Sequence, residues 1–183
     1  MKINSIRCCG CETPLGVDRD PVITWLLEGA KQTAWRVQFA KGGHPVLDTG
    51  WQSGSDTFAH LPFPLEGCTR YEVTVCCRSD KGQTARATSY FETGLFPEQR
   101  KAGFVTTPGY EAPLFRKTFT ANSAAGGRAY FCGLGYGVLF LNGRPVSDDL
   151  LTPVWSDYHK RELSGMLYPI QDEFSHSIYY RTY

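Results

Sequence analysis

"GCTRYEVTVCCRSDKGQTARATSYFETG", residues 67–94, decides how this chain is read. Tyr71, Val73, Val75 and Cys77 alternate with Glu72, Thr74 and Cys76. A period of two sends one set of side chains inward and the other to water, the pattern of a strand with one buried face. "SDKG" (79–82) then supplies turn residues, and a return strand ends at "SYFETG". "TAWRVQFAKGG" (33–43) repeats the alternation, with Trp35, Val37 and Phe39 facing one way and Arg36 and Gln38 the other. "VITWLLEG" (22–29) is an apolar strand stopped by Gly29.

No stretch before residue 95 carries a helical period, so residues 1–95 are predicted to form a small β-sandwich of fibronectin type III or immunoglobulin architecture. "LFPEQRKAGFVTTPGYEAP" (95–113) holds two prolines and two glycines and reads as a linker leading into a second domain. "LFRKTFT" (114–120), "GRAYFCGLG" (127–135), "YGVLFLNG" (136–143) and "RPVSD" (144–148) read as further strands. The "NG" at 142–143 marks a two-residue hairpin turn, whose primed geometry needs positive φ at both centres. Beyond it only "SIYYRTY" (177–183) reads as a strand, fewer than the roughly eight a jelly roll uses. The expectation is all-β: a sandwich over 1–95, then a jelly-roll-like sandwich over 96–183 that is incomplete at its C-terminus. A truncated sandwich exposes an unpaired edge and an apolar face, so association of the chain is expected.

Composition narrows the function classes. A formal charge of +1 over 183 residues gives no electrostatic reason for a nucleic-acid or membrane-surface partner. No apolar run approaches the ~20 residues of a membrane span, and "MKINSIRCCGC" has no apolar core of a secretory signal. The seven cysteines (Cys8, Cys9, Cys11, Cys68, Cys76, Cys77 and Cys132) are odd in number and include two adjacent pairs, a poor disulfide framework. Strand neighbours such as Cys76 and Cys77 point to opposite faces, and "CCGC" lacks a zinc-knuckle spacer. Free thiols, some buried as small hydrophobes, and a reducing, cytoplasmic setting are expected.

In serial order "PLGVDRDPVITWLL", "KQTAWRVQFA", "DTGWQSG", "YEVTVCCRSDKGQTARATSYFETGL", "APLFRKTFT", "AYFCGLGYGVLFLNGRPVSDDLLTPVWSDYHKR" and "YYRTY" resemble the N-terminal region of bacterial α-L-rhamnosidases, glycoside hydrolase family seventy-eight. The segment Gly133 to Arg161 is the most specific part. The resemblance implies a fibronectin-type domain followed by an N-terminal β-sandwich domain. The inverting catalytic glutamates would lie in a downstream (α/α)6 barrel that this chain lacks. "CCGC" departs from the polar segment common in the family, and residues 163–178 are longer than the usual link.

On this reading the chain itself carries no catalytic residue. Inverting glycosidases need an acid and a base ~6.5–9.5 Å apart, and Glu92, Glu98 and Glu111 belong to no paired motif. His44, His60, His159 and His176 show no metal spacing, and Ser53 has no nucleophile elbow. "GLGYG" (133–137) is followed by no helix that could cradle phosphate. Carbohydrate binding has one candidate region, with Asn142, Asp148, Asp149, Trp155, Asp157 and Tyr158 near strand ends. Sugar sites join an aromatic face to amide and carboxylate anchors. Asp148 and Asp149 could also supply oxygens to calcium, a hard cation, and the resemblance implies that some relatives carry a calcium-dependent rhamnose-binding module. No other cofactor is expected. The main reading is structural, a non-catalytic region that braces the catalytic domain or helps present substrate: Asn142 serves its turn, and Trp155 and Tyr158 pack against the missing domain. A free-standing rhamnose-binding module is the alternative. The implied partners are therefore a rhamnose-containing glycan and that downstream domain.

Overall fold

The computed structural model describes residues 1–109, 111–121, 126–154 and 178–183. The described residues are all-β apart from one 3-10 turn over Pro97–Gln99, and among them no helix is long and apolar enough to cross a membrane. Contacts divide the chain into two compact units, Met1–Pro113 and Leu114–Tyr183.

The first unit is a sandwich of eight strands: β1 (Lys2–Cys8), β2 (Val22–Glu28), β3 (Gln32–Lys41), β4 (His44–Asp48), β5 (Gln52–Ser53), β6 (Phe58–His60), β7 (Arg70–Ser79) and β8 (Thr84–Glu92). One sheet runs β1-β2-β6 and the other β4-β3-β7-β8, with β5 also paired to β3. Every strand pair in both sheets is antiparallel. The alternation in residues 71–77 acts as expected: Tyr71, Val73, Val75 and Cys77 are buried, opposite Ile23 and Trp25 of the other sheet in one core. Aromatic packing supplies much of that core. Phe91 stacks on Tyr71 at 5.5 Å and meets Phe39 edge-on, also at 5.5 Å, both favoured ring arrangements.

Buried polar groups are satisfied, as a low-dielectric interior demands. Trp25 Nε1 donates to Gln32 Oε1 at 2.9 Å, and Gln32 Nε2 donates to the Asp56 carbonyl at 2.6 Å. Thr93 Oγ1 donates to the Glu66 carbonyl at 2.6 Å and accepts from the Thr69 amide at 2.9 Å. Among residues 95–113, Phe96 is buried in this core, Arg19 lies 4.4 Å above its ring, and Gln99 Nε2 donates to the Gly67 carbonyl at 3.2 Å. The start of the expected linker is thus packed. A Cβ on Gly67 would overlap the end of the Gln99 side chain, which would have to move aside.

All seven cysteines are free, and they divide by face as the strand period requires. Cys77 is in the core, where burial pushes its thiol up to about 11. Its neighbour Cys76 lies on the outer face between Arg36 and Arg86. Cys8 and Cys11 exchange backbone hydrogen bonds of 2.9 and 3.0 Å around Cys9 (φ +50) and Gly10 (φ +80), a hairpin turn of the primed kind.

Among the described residues the second unit has four short strands: β9 (Tyr130–Cys132), β10 (Phe140–Leu141), β11 (Arg144–Pro145) and β12 (Tyr180–Thr182). β9 pairs with β12, and bonds between Ala129 and Tyr183 lengthen that ladder by one pair. β10 pairs with β11. The expected strand at 114–120 does not form; its residues are exposed and outside any sheet, and Arg116 and Lys117 interrupt its apolar alternation.

Candidate functional site

The sugar-site candidates fall into three groups. Asn142 has φ +50 and Gly143 +78, the two positive centres of the turn that pairs Leu141 with Arg144. Asn142 is therefore committed to backbone geometry. Asp149 is held by Arg181: the guanidinium Nη2 donates to Oδ2 at 2.7 Å, and the Asp149 amide donates to Ser147 Oγ at 2.8 Å. The Arg181 guanidinium, and after it the Ser147 hydroxyl beside the carboxylate, keep the Asp149 carboxyl below its ordinary range. Asp148 is exposed. Trp155, Asp157 and Tyr158 lie outside the described residues.

This arrangement sets the local chemistry. Arg181 sits on β12 and Asp149 follows the hairpin, so their contact ties the two small sheets of the unit together. Arg181 already neutralises the Asp149 carboxylate that a calcium ion at Asp148 and Asp149 would draw on. Among the described residues no three His, Cys, Asp or Glu side chains are grouped for a metal.

Two glycines of "GLGYG", Gly133 and Gly137, have a packing explanation that sequence reasoning did not supply, whereas Gly135 has open space around it. A Cβ on Gly133 would come within 2.7 Å of the Gly135 carbonyl oxygen and 3.1 Å of Pro153, and one on Gly137 within 3.0 Å of the Phe131 ring. The Gly137 amide donates to the Thr152 carbonyl at 2.8 Å.

The acidic residues considered for catalysis are dispersed. Glu98 accepts from Arg19 Nη2 at 2.6 and 2.7 Å. Backbone hydrogen bonding and then Arg19 hold its carboxyl low, the opposite of what a general acid requires. Glu92 sits opposite Arg70 in the β7–β8 ladder and Glu111 is exposed. A shallow cleft of about 210 Å³ opens between β1 and β8, with Asn4, Ser5, Thr13 and Thr88 on its rim. Glu12 is its single carboxylate and lies 3.6 Å from Arg7, so the cleft holds no acid–base pair.

Two family profiles match in series. "Rha78A-like, N-terminal immunoglobulin domain" covers residues 3–97, more than half of the chain, and "Alpha-L-rhamnosidase N-terminal domain" covers residues 122–173. A curated α-L-rhamnosidase of Formosa agariphila is 25% identical, over 81% of this chain and 20% of its own length. The structure of α-L-rhamnosidase from Dictyoglumus thermophilum superposes with a TM-score of 0.79 and 26% identity, covering 99% of this chain and 23% of that one. The Streptomyces avermitilis α-L-rhamnosidase, solved with L-rhamnose, gives a TM-score of 0.53 and 26% identity over 58% of this chain and 12% of its own. The chain thus spans about a fifth of the length of the curated relative.

Proposed function

Because the chain belongs to the N-terminal region of the α-L-rhamnosidases of glycoside hydrolase family seventy-eight, we propose that it is a non-catalytic part of such an enzyme. In this role it braces the catalytic domain that hydrolyses terminal α-L-rhamnose from glycosides or polysaccharides. The observation that carries the reading is the apolar surface of the second unit. Leu114 is 98% and Leu150 86% exposed, and Phe119, Val138, Phe140 and Leu151 are also open to solvent. Contiguous apolar surface marks an interaction site, and further domains of one enzyme are the covering this family membership supplies.

The test uses an aryl rhamnoside. The 183-residue chain alone should release no nitrophenol above a blank. An enzyme carrying this region should lose thermal stability when residues 114–183 are deleted. Turnover by the isolated chain, or an unchanged melting temperature after the deletion, would sink the proposal.

A second reading, a free-standing rhamnose-binding module, draws on Asp148. Of the three described candidates it alone is exposed with neither a turn nor an arginine claiming it. Calorimetric titration with rhamnose, with and without calcium, separates the two readings. Heat that disappears in Trp155→Ala favours the module, and silence at millimolar sugar removes it.

A further inference from the structure

We propose that the outer face of the β4-β3-β7-β8 sheet binds the carboxylate groups of an acidic polysaccharide through Arg78 and Arg86, beside the Arg36–Asp48 ion pair. The ladder registers place these residues together. Arg36 and Arg86 lie on either side of Cys76, and Arg78 opposes Thr84, one diagonal step from Arg86. Strand spacing and diagonal spacing put the three side-chain bases within roughly 7–10 Å of one another.

Charge on this patch is not balanced. Asp48 is the carboxylate it contains, and Arg36 binds it through Nε at 2.8 Å while Gln38 donates to it at 3.0 Å. Among the described residues, Arg78 and Arg86 have no carboxylate partner. Clustered like charges on one sheet face cost stability unless an anion bridges them.

The patch is also ordered in advance. The Arg78 guanidinium lies 3.8 Å above the Trp51 ring. Stacking holds its plane while leaving the N–H edges to fork onto a carboxylate. Thr74 and Thr88 hydroxyls, 3.2 Å apart in the adjacent row, offer donors and acceptors to sugar hydroxyls. The choice of a polysaccharide over other polyanions rests on the glycoside-hydrolase reading above.

Arg70 supplies an internal control. It is stacked 3.6 Å over Tyr90 on the same face, but Glu92 opposes it and Glu72 follows two residues on. That end of the face is therefore not cationic.

The experiment is affinity electrophoresis of the 183-residue chain in polygalacturonate, with neutral dextran and single-stranded DNA as comparisons. Polygalacturonate should retard the chain at low salt, and retardation should fade as salt shortens the screening length. The double variant R78Q/R86Q should bind about tenfold more weakly, with an unchanged urea midpoint showing that it is folded. R70Q should match the parent. No retardation by polygalacturonate, equal loss in R70Q, or equal binding to dextran or DNA would each overturn the proposal. Rhamnoside hydrolysis plays no part in this readout, so its failure is distinct from failure of the accessory-region reading.

Discussion

The hydroxyl of Tyr71, at the start of β7, accepts a hydrogen bond of 2.9 Å from the backbone amide of Glu66, five residues upstream. This is the tyrosine corner of immunoglobulin-type sandwiches. It closes the crossing from one sheet to the other and satisfies an amide beside the core. Tyr71→Phe keeps the ring stack on Phe91 and removes only the acceptor. Expected is a loss of about 1–3 kcal/mol, read as a lower urea midpoint with unchanged slope. No change in midpoint would mean that water satisfies Glu66.

Gln32 performs a similar task between the sheets. Its replacement by Leu leaves Trp25 Nε1 and the Asp56 carbonyl without their bonds. The expected cost is about 1–3 kcal/mol, accompanied by a shift in the fluorescence of the Trp25 and Trp35 pair, whose rings lie 5.7 Å apart. Equal stability of the Leu variant would show that this polar link is dispensable.

Asp48 gives a pH-dependent test. Its hydrogen bonds from Arg36 and then the Gly50 amide hold its carboxyl well below the ordinary 3.8. A depressed folded value stabilises above the unfolded value, and that stability is lost as pH falls below about 4. The pair is partly exposed, so Asp48→Asn should cost roughly 0.2–1 kcal/mol at pH 7. The deficit should shrink between pH 4 and pH 2 in urea titrations. A deficit independent of pH would contradict the assignment.

Thiol reactivity should follow burial. Burial raises the Cys8 and Cys77 thiols, whereas Cys9, Cys11 and Cys68 are exposed. Thiolate is the reacting form. Brief alkylation at pH 8 followed by mass spectrometry should therefore label Cys9, Cys11 and Cys68 and spare Cys8 and Cys77 until denaturant is added. Early labelling of Cys77 would mean that the core opens.

How far the fold was legible depended on strand regularity. β7 and β8 keep a strict period of two, as does β3 over Val37 to Phe39, and those stretches were readable directly from residues 33–43 and 67–94. The buried Gln32 is out of phase, because the β3 register shifts between Gln32 and Ala34. β1 was not. Its register shifts between Ile3 and Ser5, so Ile3 and Ile6 are both buried although three positions apart, which matches neither period two nor a marked apolar run. β5 and β6, two and three residues long, are too short to show any period. At the candidate site, "NG" at 142–143 announced the turn because only that backbone geometry demands those residues. The partnership of Asp149 with Arg181 was invisible, since it joins residues 32 positions apart through tertiary structure.

The pairing of β3 with β7 also bears on synthesis. Val37 pairs with Val75, and 75 − 37 gives a separation of 38 residues. At about 5–20 residues per second, roughly 2–8 s pass between the making of the two. Throughout that interval β3 carries Val37 and Phe39 with one edge unmatched. The nascent chain is therefore most open to mispairing with a neighbouring chain before β7 is made, and slower translation across residues 42–75 would lengthen that exposure.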